Sequence, residues 1–216
     1  MPPAEAAPST SFPAPARNRG PMDVAEAKRA LRERALAQRK AIAPEDAGRA
    51  ARALRDLALG AVPFPRGASI AGYWPLSGEL DVQPLLGALS KRGHSTALPV
   101  VVARGQPLAF RTWKPGDGLE RAGFGLSVPQ REAPELTPRV LLVPLLAFDS
   151  CGRRIGWGGG FYDRTIAALR AKGALLAVGV GFAAQEVSMV PTESFDVPLD
   201  WVVTERAARR AEPIRR

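Results

Sequence analysis

The segment from Ala147 to Arg164, AFDSCGRRIGWGGGFYDR, carries the residue types of a phosphate-binding site. Five glycines stand in it together with Arg153 and Arg154, and Asp163 lies near its end. Glycines let an anion approach free backbone N–H groups, and the positive end of a following helix adds to the attraction. A tight turn needs only one or two glycines and no arginines, so the composition favours phosphate binding over a simple turn.

This segment differs from two common nucleotide-binding patterns. No Gly-Lys-Ser/Thr ends it, as a P-loop requires, and the third glycine of a G-x-G-x-x-G fingerprint would fall on Phe161. No acidic residue follows about twenty residues later, which disfavours a nicotinamide cofactor. Asp163 is equally consistent with a helix cap and with a ligand of a Mg²⁺ ion that accompanies phosphates.

A second group of cations lies on the first predicted helix. Lys28, Arg32 and Arg39 fall within about 40° of one another at 100° per residue. Such a stripe is more typical of a solvated face than of a binding surface, although it could contact nucleic-acid phosphates. The chain has few aromatic residues among its basic ones and no known nucleic-acid motif.

Two further groups of residues lie at the ends of predicted strands. In YWPLSGE, Trp74 could stack on a flat heterocycle while Glu79 accepts from its N–H groups; a packed tryptophan and an exposed glutamate are equally consistent. Asp196 and Asp200 precede the last strand as turn formers or as part of a metal site. His94 is the only histidine, so general-base catalysis by histidine is improbable, and Cys151 lacks a partner histidine.

The composition limits the class of protein. With 216 residues and 46% apolar residues, the chain can form one domain with a real core. Its net charge of +9 predicts affinity for phosphates, whether on nucleic acid, nucleotides or anionic metabolites. The single cysteine excludes an internal disulfide, and no apolar run is long enough to span a membrane, so we expect a cytoplasmic protein.

Hydrophobic periodicity divides the chain into alternating helices and strands. Helices are predicted from the Asp23 cap to about Ile42, from Pro44 to Leu59, over 82–93, and from the glycines to Ala171. Strands are predicted over 68–74, 95–102, 107–113, 140–148, 175–182 and 201–204. The stretch 140–148 is so apolar that we expect one central strand covered on both faces.

This order predicts an α/β protein with an open, largely parallel (mixed) sheet flanked by helices on both faces, a Rossmann-like three-layer sandwich. We expect a disordered Pro/Ala-rich tail over 1–22, a single domain over 23–206 and a loose basic tail over 207–216. Ligands of such sheets bind beyond the carboxyl ends of the strands, which is where the glycine segment lies.

Taken together, these segments resemble the 5-formyltetrahydrofolate cyclo-ligase (methenyltetrahydrofolate synthetase) family from Lys28 to about Glu205. The resemblance rests, in chain order, on KRALR, YWPLSGE, LPVV, FRTWKPGDGLE, AFDSCGRRIGWGGGFYDR and VGVGFAAQEV…VPTESFDVPLDWVVTE. Members are α/β enzymes that use ATP and Mg²⁺ to convert 5-formyltetrahydrofolate into 5,10-methenyltetrahydrofolate, with release of ADP and phosphate. The resemblance implies the same activity here.

The resemblance also implies a role for each matching position. Lys28 and Arg154 are the expected catalytic cations, and Asp163 and Asp200 the expected magnesium ligands. The expected ATP-binding residues are Lys28, Arg32, Arg154, Ile155, Gly156, Trp157, Gly158, Gly159, Gly160, Phe161 and Tyr162. The expected folate-binding residues are Trp74, Glu79, Trp157, Gly158, Gly159, Gly160 and Phe161.

Trp157 and Gly159 stand where some relatives carry basic residues, so a direct charge contact is not expected from these two side chains. The implied partners are ATP and 5-formyltetrahydrofolate, with or without a polyglutamate chain, and no nucleic acid or membrane. We expect a monomer. Two alternatives remain open: another ATP-dependent transferase or ligase on the same scaffold, and a basic nucleic-acid-binding protein.

Overall fold

The computed structural model describes residues 23–76, 78–123 and 126–213. The helices in this part of the chain are α1 (Val24–Lys40), α2 (Pro44–Ala61), α3 (Gln83–Lys91) and α4 (Phe161–Lys172). The strands are β1 (Ser69–Ala71), β2 (Ser95–Val100), β3 (Ala109–Thr112), β4 (Leu119–Arg121), β5 (Ser127–Pro129), β6 (Val140–Pro144), β7 (Ala147–Phe148), β8 (Arg154–Ile155), β9 (Leu176–Val180), β10 (Trp201–Val203) and β11 (Ala208–Arg210).

The main sheet has seven strands in the order β11-β10-β9-β6-β1-β2-β3. The five inner strands run parallel to one another, and the edge strands β3 and β11 are antiparallel to the strands beside them. The predicted βαβ unit is present as β1, α3 and β2. The prediction of an open, mixed and largely parallel sheet is therefore confirmed.

Alternate residues of each inner strand face opposite layers. One face of the sheet packs against α2 and α3, with Ile70, Leu98 and Leu142 among the fully buried residues. The other face packs against α4 and holds Ala71 and Leu141. Both faces are covered, which explains why the central strands are apolar at consecutive positions and confirms the three-layer arrangement.

A topological switch point lies between β1 and β6. The chain leaves β1 towards β2 on one side of the sheet and leaves β6 towards β9 on the other side. The loops after these two neighbouring strands therefore diverge and leave a crevice at their carboxyl ends, the usual ligand position in such sheets. Trp74 and Glu79 follow β1, and the glycine segment follows β6.

The apolar run 140–148 is two strands rather than the one that was predicted. β6 ends at Pro144, which has no N–H for a further ladder bond, and Ala147–Phe148 pairs with Arg154–Ile155 as a small antiparallel hairpin. Leu145 and Leu146 between them are buried, and a buried connection has the same apolar composition as a strand. This hairpin places the glycines beside the crevice.

The prediction of a loose tail after residue 206 is wrong for Ala208–Arg210, which form β11 against β10. The β4–β5 hairpin was not predicted, because three-residue strands show too little periodicity. Asp23 is the N-cap residue of α1 as expected, but its side chain makes no capping hydrogen bond.

The tail over 1–22 lies outside the described residues. Among the described helices, none has the length and apolar character that crossing a membrane requires.

The turn of the β7–β8 hairpin needs a glycine at position 152, because a side chain there would be strained and would clash. The φ of Gly152 is 74°, and a Cβ at this position would lie 2.5 Å from the Leu199 carbonyl oxygen. We predict that Gly152→Ala lowers the free energy of unfolding by about 2–4 kcal/mol, through backbone strain and this clash. Urea unfolding followed by circular dichroism measures the change.

Gly60 provides the matched control, because no atom lies within 4 Å of a Cβ built there, near the end of α2. Gly60→Ala should leave stability unchanged or raise it by up to about 1 kcal/mol. Equal effects of the two substitutions would show that the Gly152 conformation is not required.

Candidate active site

Three parts of the chain meet at the carboxyl ends of β1 and β6. Helix α1 packs on the β7–β8 hairpin through Leu31 and Ala35, which contact a cluster containing Leu146, Ala147, Ile155 and Val190. This packing brings the basic stripe of α1 to the glycine segment. The loop after β1 completes the site from the other side.

Residues 156–160, the glycine-rich part of this segment, form an irregular loop that leads into the first turn of α4. Gly158 and Gly160 have φ values of 97° and 64°, and Gly160 is the N-cap residue, without a side-chain cap. A Cβ at Gly158 would lie 3.6 Å from the Arg32 guanidinium. Arg32 therefore lies beside the loop two residues before the N-cap residue of α4, and a cation near the N-terminus of a helix is a combination that can attract an anion.

Two arginines hold this loop in place. Arg32 Nε donates to the Gly156 carbonyl at 3.0 Å, which ties α1 to the loop. Arg154 Nη2 pairs with Asp163 Oδ1 at 2.8 Å, and its Nη1 donates to the Val197 carbonyl at 2.5 Å. The Val197 amide in turn donates to Asp163 Oδ1 at 3.1 Å. Arg154 thus links the glycine segment to the chain that precedes β10.

Lys28 is buried, with 5% of its surface exposed, so the expectation of a solvated basic face is wrong at this position. Its Nζ lies 2.6 Å from Glu193 Oε2 and 2.6 Å from Asp196 Oδ2, and 5.2 Å from the centroid of the Phe195 ring. Burial opposes the charged form of Lys28, but the hydrogen bonds to Asp196 and Glu193 outweigh it and raise the pKa.

Arg39, Glu79 and Trp157 form a compact group at the other end of α1. Glu79 Oε1 accepts from the Trp157 indole N–H at 3.1 Å and lies 3.8 Å from Arg39 Nη1. Glu79 Oε2 accepts from the Leu76 amide at 3.0 Å. The Arg39 guanidinium also lies 5.1 Å from the Trp157 ring centroid.

The side chains of Arg39 and Glu79 are only 4% and 5% exposed, so neither the solvated cation nor the exposed glutamate considered from the sequence is present. Burial lowers the pKa of Arg39, and the negative charge of Glu79 opposes that change. The pair is therefore a buried carboxylate with its own counter-ion.

Trp157 contacts this carboxylate, and further aromatic side chains belong to the same part of the structure. Trp74 packs edge-to-face on Trp113, with ring centroids 5.8 Å apart. Burial raises the pKa of Tyr162 and of Tyr73, and the negative charge of Glu79 adds to both increases. Both phenols therefore stay protonated at neutral pH, and aromatic rings of Trp157, Tyr73 and Tyr162 lie near one charged acceptor.

The two expected metal ligands have different partners. Both hydrogen bonds of Asp163 fall on Oδ1, and its side chain is 24% exposed. Asp200 is bonded through both oxygens to Arg170, and its Oδ2 also accepts from the Ala177 amide. These contacts do not join Asp163 to Asp200, and the described residues contain no cluster of three metal-ligating side chains. A shared magnesium site therefore stays a prediction.

The remaining candidates have structural contacts. Arg153 pairs with the buried Asp149, which also accepts from the Cys151 and Val190 amides. His94 lies just before β2, at the opposite end of the sheet from Glu79, and contacts the Ala68 carbonyl. Neither His94 nor Cys151 contacts the group around Glu79 through a described hydrogen bond.

Two contacts were not predicted from the sequence: Glu193 is a partner of Lys28, and Arg39 is a partner of Glu79. A signal for their burial was present, because Lys28 and Arg39 share one helical face with the apolar Leu31 and Ala35. Cations on an apolar stripe require buried counter-ions.

A family model described as 5-formyltetrahydrofolate cyclo-ligase family matches residues 24–205, which include every element of this site. The chain belongs to this family. The resemblance drawn from the sequence motifs is thereby confirmed.

Cyclo-ligases from several bacteria are similar to this chain. The 5-formyltetrahydrofolate cyclo-ligase of Escherichia coli strain K12 is 32% identical over 173 residues, which cover 77% of this chain and 94% of the relative. That of Haemophilus influenzae is 34% identical over 136 residues, covering 61% and 72%.

Solved structures of cyclo-ligases give the same result for the fold. The Aquifex aeolicus 5,10-methenyltetrahydrofolate synthetase superposes with a TM-score of 0.72 at 28% identity, over 88% of this chain and 95% of that chain. The Mycoplasma pneumoniae synthetase shares the fold, with a TM-score of 0.65 at 21% identity over 82% and 98%.

The buried ion pairs of Lys28 give a stability prediction for this cyclo-ligase. We expect Lys28→Met to lower the free energy of unfolding by about 2–3 kcal/mol, because Glu193 and Asp196 lose their shared counter-ion in a partly buried site. Because folding raises the pKa of Lys28, its charge stabilises the folded state fully at pH values below the ordinary pKa of 10.5. This contribution is lost only when the pH rises through the pKa of the folded state. The decrease should therefore be the same at about pH 6 and pH 8.

Lys40→Met is the control, since Lys40 is exposed in the last turn of α1 and its removal should change stability by less than about 0.5 kcal/mol. Unfolding in guanidinium chloride followed by tryptophan fluorescence provides both values. A Lys28 variant as stable as the Lys40 variant would contradict the importance of these ion pairs.

Proposed function

We propose that this protein catalyses the ATP- and Mg²⁺-dependent conversion of 5-formyltetrahydrofolate into 5,10-methenyltetrahydrofolate, with release of ADP and phosphate. The observation that carries the proposal is the contact between Trp157 of the glycine segment and Glu79 of the β1 loop. This contact makes the loop that we assign to phosphate and the carboxylate that we assign to the heterocycle neighbours. The similarity to cyclo-ligases along residues 24–205 supports the same chemistry.

The nucleotide side of the proposed site consists of the glycine segment, the first turn of α4 and the cations of α1. Arg32 already lies against this loop, and Arg154 is fixed by Asp163 and Val197. Fixed cations favour the charge that develops on a transferring phosphoryl group, because they need not reorganise during the reaction. Lys28 would reach a phosphate oxygen by giving up one of its two carboxylate partners.

The folate side consists of Glu79 and the rings around it. A pterin is flat and carries several N–H donors, and the Glu79 carboxylate is a buried, charged acceptor near Trp157, Tyr73 and Tyr162. Burial makes its hydrogen bonds stronger than they would be in water. Glu79 would thus orient the ring while Trp74 contacts its face.

The proposed reaction needs no protein nucleophile. A formyl oxygen of the substrate attacks the γ-phosphorus of ATP, the bond between the β- and γ-phosphates breaks, and ADP leaves. N10 then attacks the activated formyl carbon, its proton is lost, and the C–O bond breaks with phosphate as the leaving group. Positioning and charge neutralisation dominate catalysis of phosphoryl transfer, which agrees with a site of glycines, cations and carboxylates.

Magnesium would neutralise phosphate charge and align the triphosphate. Proteins usually hold this ion through one or two carboxylates plus the phosphates, so a cluster of three ligands is not needed. Asp163 fits this role, because its hydrogen bonds use Oδ1 and the side chain is partly exposed beside the glycine segment. Asp200 fits less well, since Arg170 and the Ala177 amide occupy both of its oxygens.

The nucleic-acid alternative loses its specific support. Of the three cations in the basic stripe, Lys28 and Arg39 are buried and Arg32 is bonded to the glycine segment. The stripe faces the candidate active site rather than a passing nucleic-acid backbone.

The direct test is an assay with 5-formyltetrahydrofolate, ATP and Mg²⁺. We expect the near-ultraviolet absorbance of the methenyl product to appear, together with one ADP and one phosphate per product molecule. Omission of ATP or chelation of Mg²⁺ should abolish both signals. Hydrolysis of ATP without a folate product would instead favour an ATP-dependent enzyme for another substrate.

Glu79→Gln tests whether Glu79 belongs to the folate side of the site and not to the nucleotide side. The loss of a charged acceptor should raise the KM for 5-formyltetrahydrofolate about ten- to a hundredfold, because hydrogen bonds to charged groups contribute about 1.5–3 kcal/mol. The KM for ATP should change much less. Glu120→Gln, at an exposed carboxylate of β4, is the matched control and should behave as the wild type in steady-state kinetics. An equal increase in both KM values would rule against Glu79 as the residue that reads the folate.

A further inference from the structure

We propose that Trp157 covers Glu79, the carboxylate assigned to folate recognition, and must move aside before the substrate binds. Trp157 would thereby set the affinity of this protein for folate. The proposal rests on the function proposed above and adds a residue that controls access to Glu79. It starts from a conflict in the geometry: the carboxylate expected to contact the substrate is itself 95% buried, being only 5% exposed.

Protein groups occupy both oxygens of this carboxylate. Oε1 accepts the Trp157 indole N–H and faces Arg39, and Oε2 accepts the Leu76 amide. Each oxygen can still accept a second hydrogen bond, but with only 5% of the side chain exposed a pterin N–H reaches it only if a covering group moves. The Leu76 amide belongs to the turn that carries Glu79, since the Glu79 amide donates back to the Leu76 carbonyl at 2.9 Å. The indole of Trp157 comes from a separate segment and is the donor that can leave.

The position of Trp157 in the chain allows this movement. Its side chain is 54% exposed although its N–H points to a buried group, so rotation of the ring disturbs little of the core. Gly156 precedes it and Gly158 follows with a φ of 97°, and glycines permit backbone changes that other residues resist. The nearby Arg39 guanidinium would remain as the counter-ion of Glu79 after the indole leaves.

The same movement would connect the two substrates. The loop that carries Trp157 also receives Arg32 at the Gly156 carbonyl and Arg164 at the Gly159 carbonyl. A folate that displaces the indole therefore shifts the segment assigned to the ATP phosphates. When a closed arrangement competes with the substrate, only the open molecules bind. The apparent Kd is then the intrinsic Kd divided by the open fraction.

Trp157→Phe tests the proposal, because phenylalanine keeps an aromatic ring and lacks the N–H donor. We expect the Kd for 5-formyltetrahydrofolate, measured by equilibrium dialysis in the absence of ATP, to fall about three- to tenfold, as expected for loss of one competing hydrogen bond. Trp201→Phe makes the same substitution in β10, away from the crevice, and should keep the wild-type Kd. An unchanged or higher Kd for Trp157→Phe would overturn the proposal.

A double-mutant cycle with Glu79→Gln identifies the bond responsible. In the Glu79→Gln background, Trp157→Phe should change the Kd by less than about twofold, because the competing bond has already been weakened. A full three- to tenfold effect in that background would overturn the proposal by placing the influence of Trp157 elsewhere. Failure of the proposed function is a different result, since the wild-type protein would then bind no 5-formyltetrahydrofolate.

Discussion

Charged groups removed from water must be matched by opposite charges, and α1 carries two such groups on its inner face. Lys28 is matched by Glu193 and Asp196, and Arg39 by Glu79. The two cations are eleven positions apart in the sequence, or about 16 Å along the helix. An unmatched buried charge is strongly destabilising, so α1 is held in one register across the mouth of the crevice. Arg32, between the two, consequently lies at the glycine segment.

The sheet explains why these partners come from distant parts of the sequence. The loop after β1 carries Glu79, the hairpin after β6 presents the glycines, and the chain before β10 carries Glu193 and Asp196. All three lie around one end of the central strands, where the crossovers diverge. The site is thus a consequence of strand order, while the ion pairs of α1 fix its detailed geometry.

Much of this arrangement could be predicted from sequence. The alternation of helices and strands and the position of the glycine segment after a central strand were correct, because apolar periodicity and glycine content report local requirements directly. The run 140–148 was interpreted as one strand, since burial alone does not distinguish a strand from the buried connection at Leu145 and Leu146. The helical pattern of the basic stripe alone favoured a solvated face, and it could not reveal the carboxylate partners of Lys28, which lie more than 160 residues away. Glu79 was found as a candidate, but its burial beneath Trp157 depends on tertiary contacts that no local pattern contains.

The short antiparallel strand β11 has a consequence for how the domain should be delimited. It occupies the outer hydrogen-bonding edge of β10 with three residues, and two of them, Arg209 and Arg210, are exposed cations. Short, charged edges discourage the addition of a strand from another molecule. A chain shortened at residue 206 would lose this protection and present the backbone of β10 to its neighbours, so recombinant versions meant to stay dispersed in concentrated solution should extend at least through residue 211.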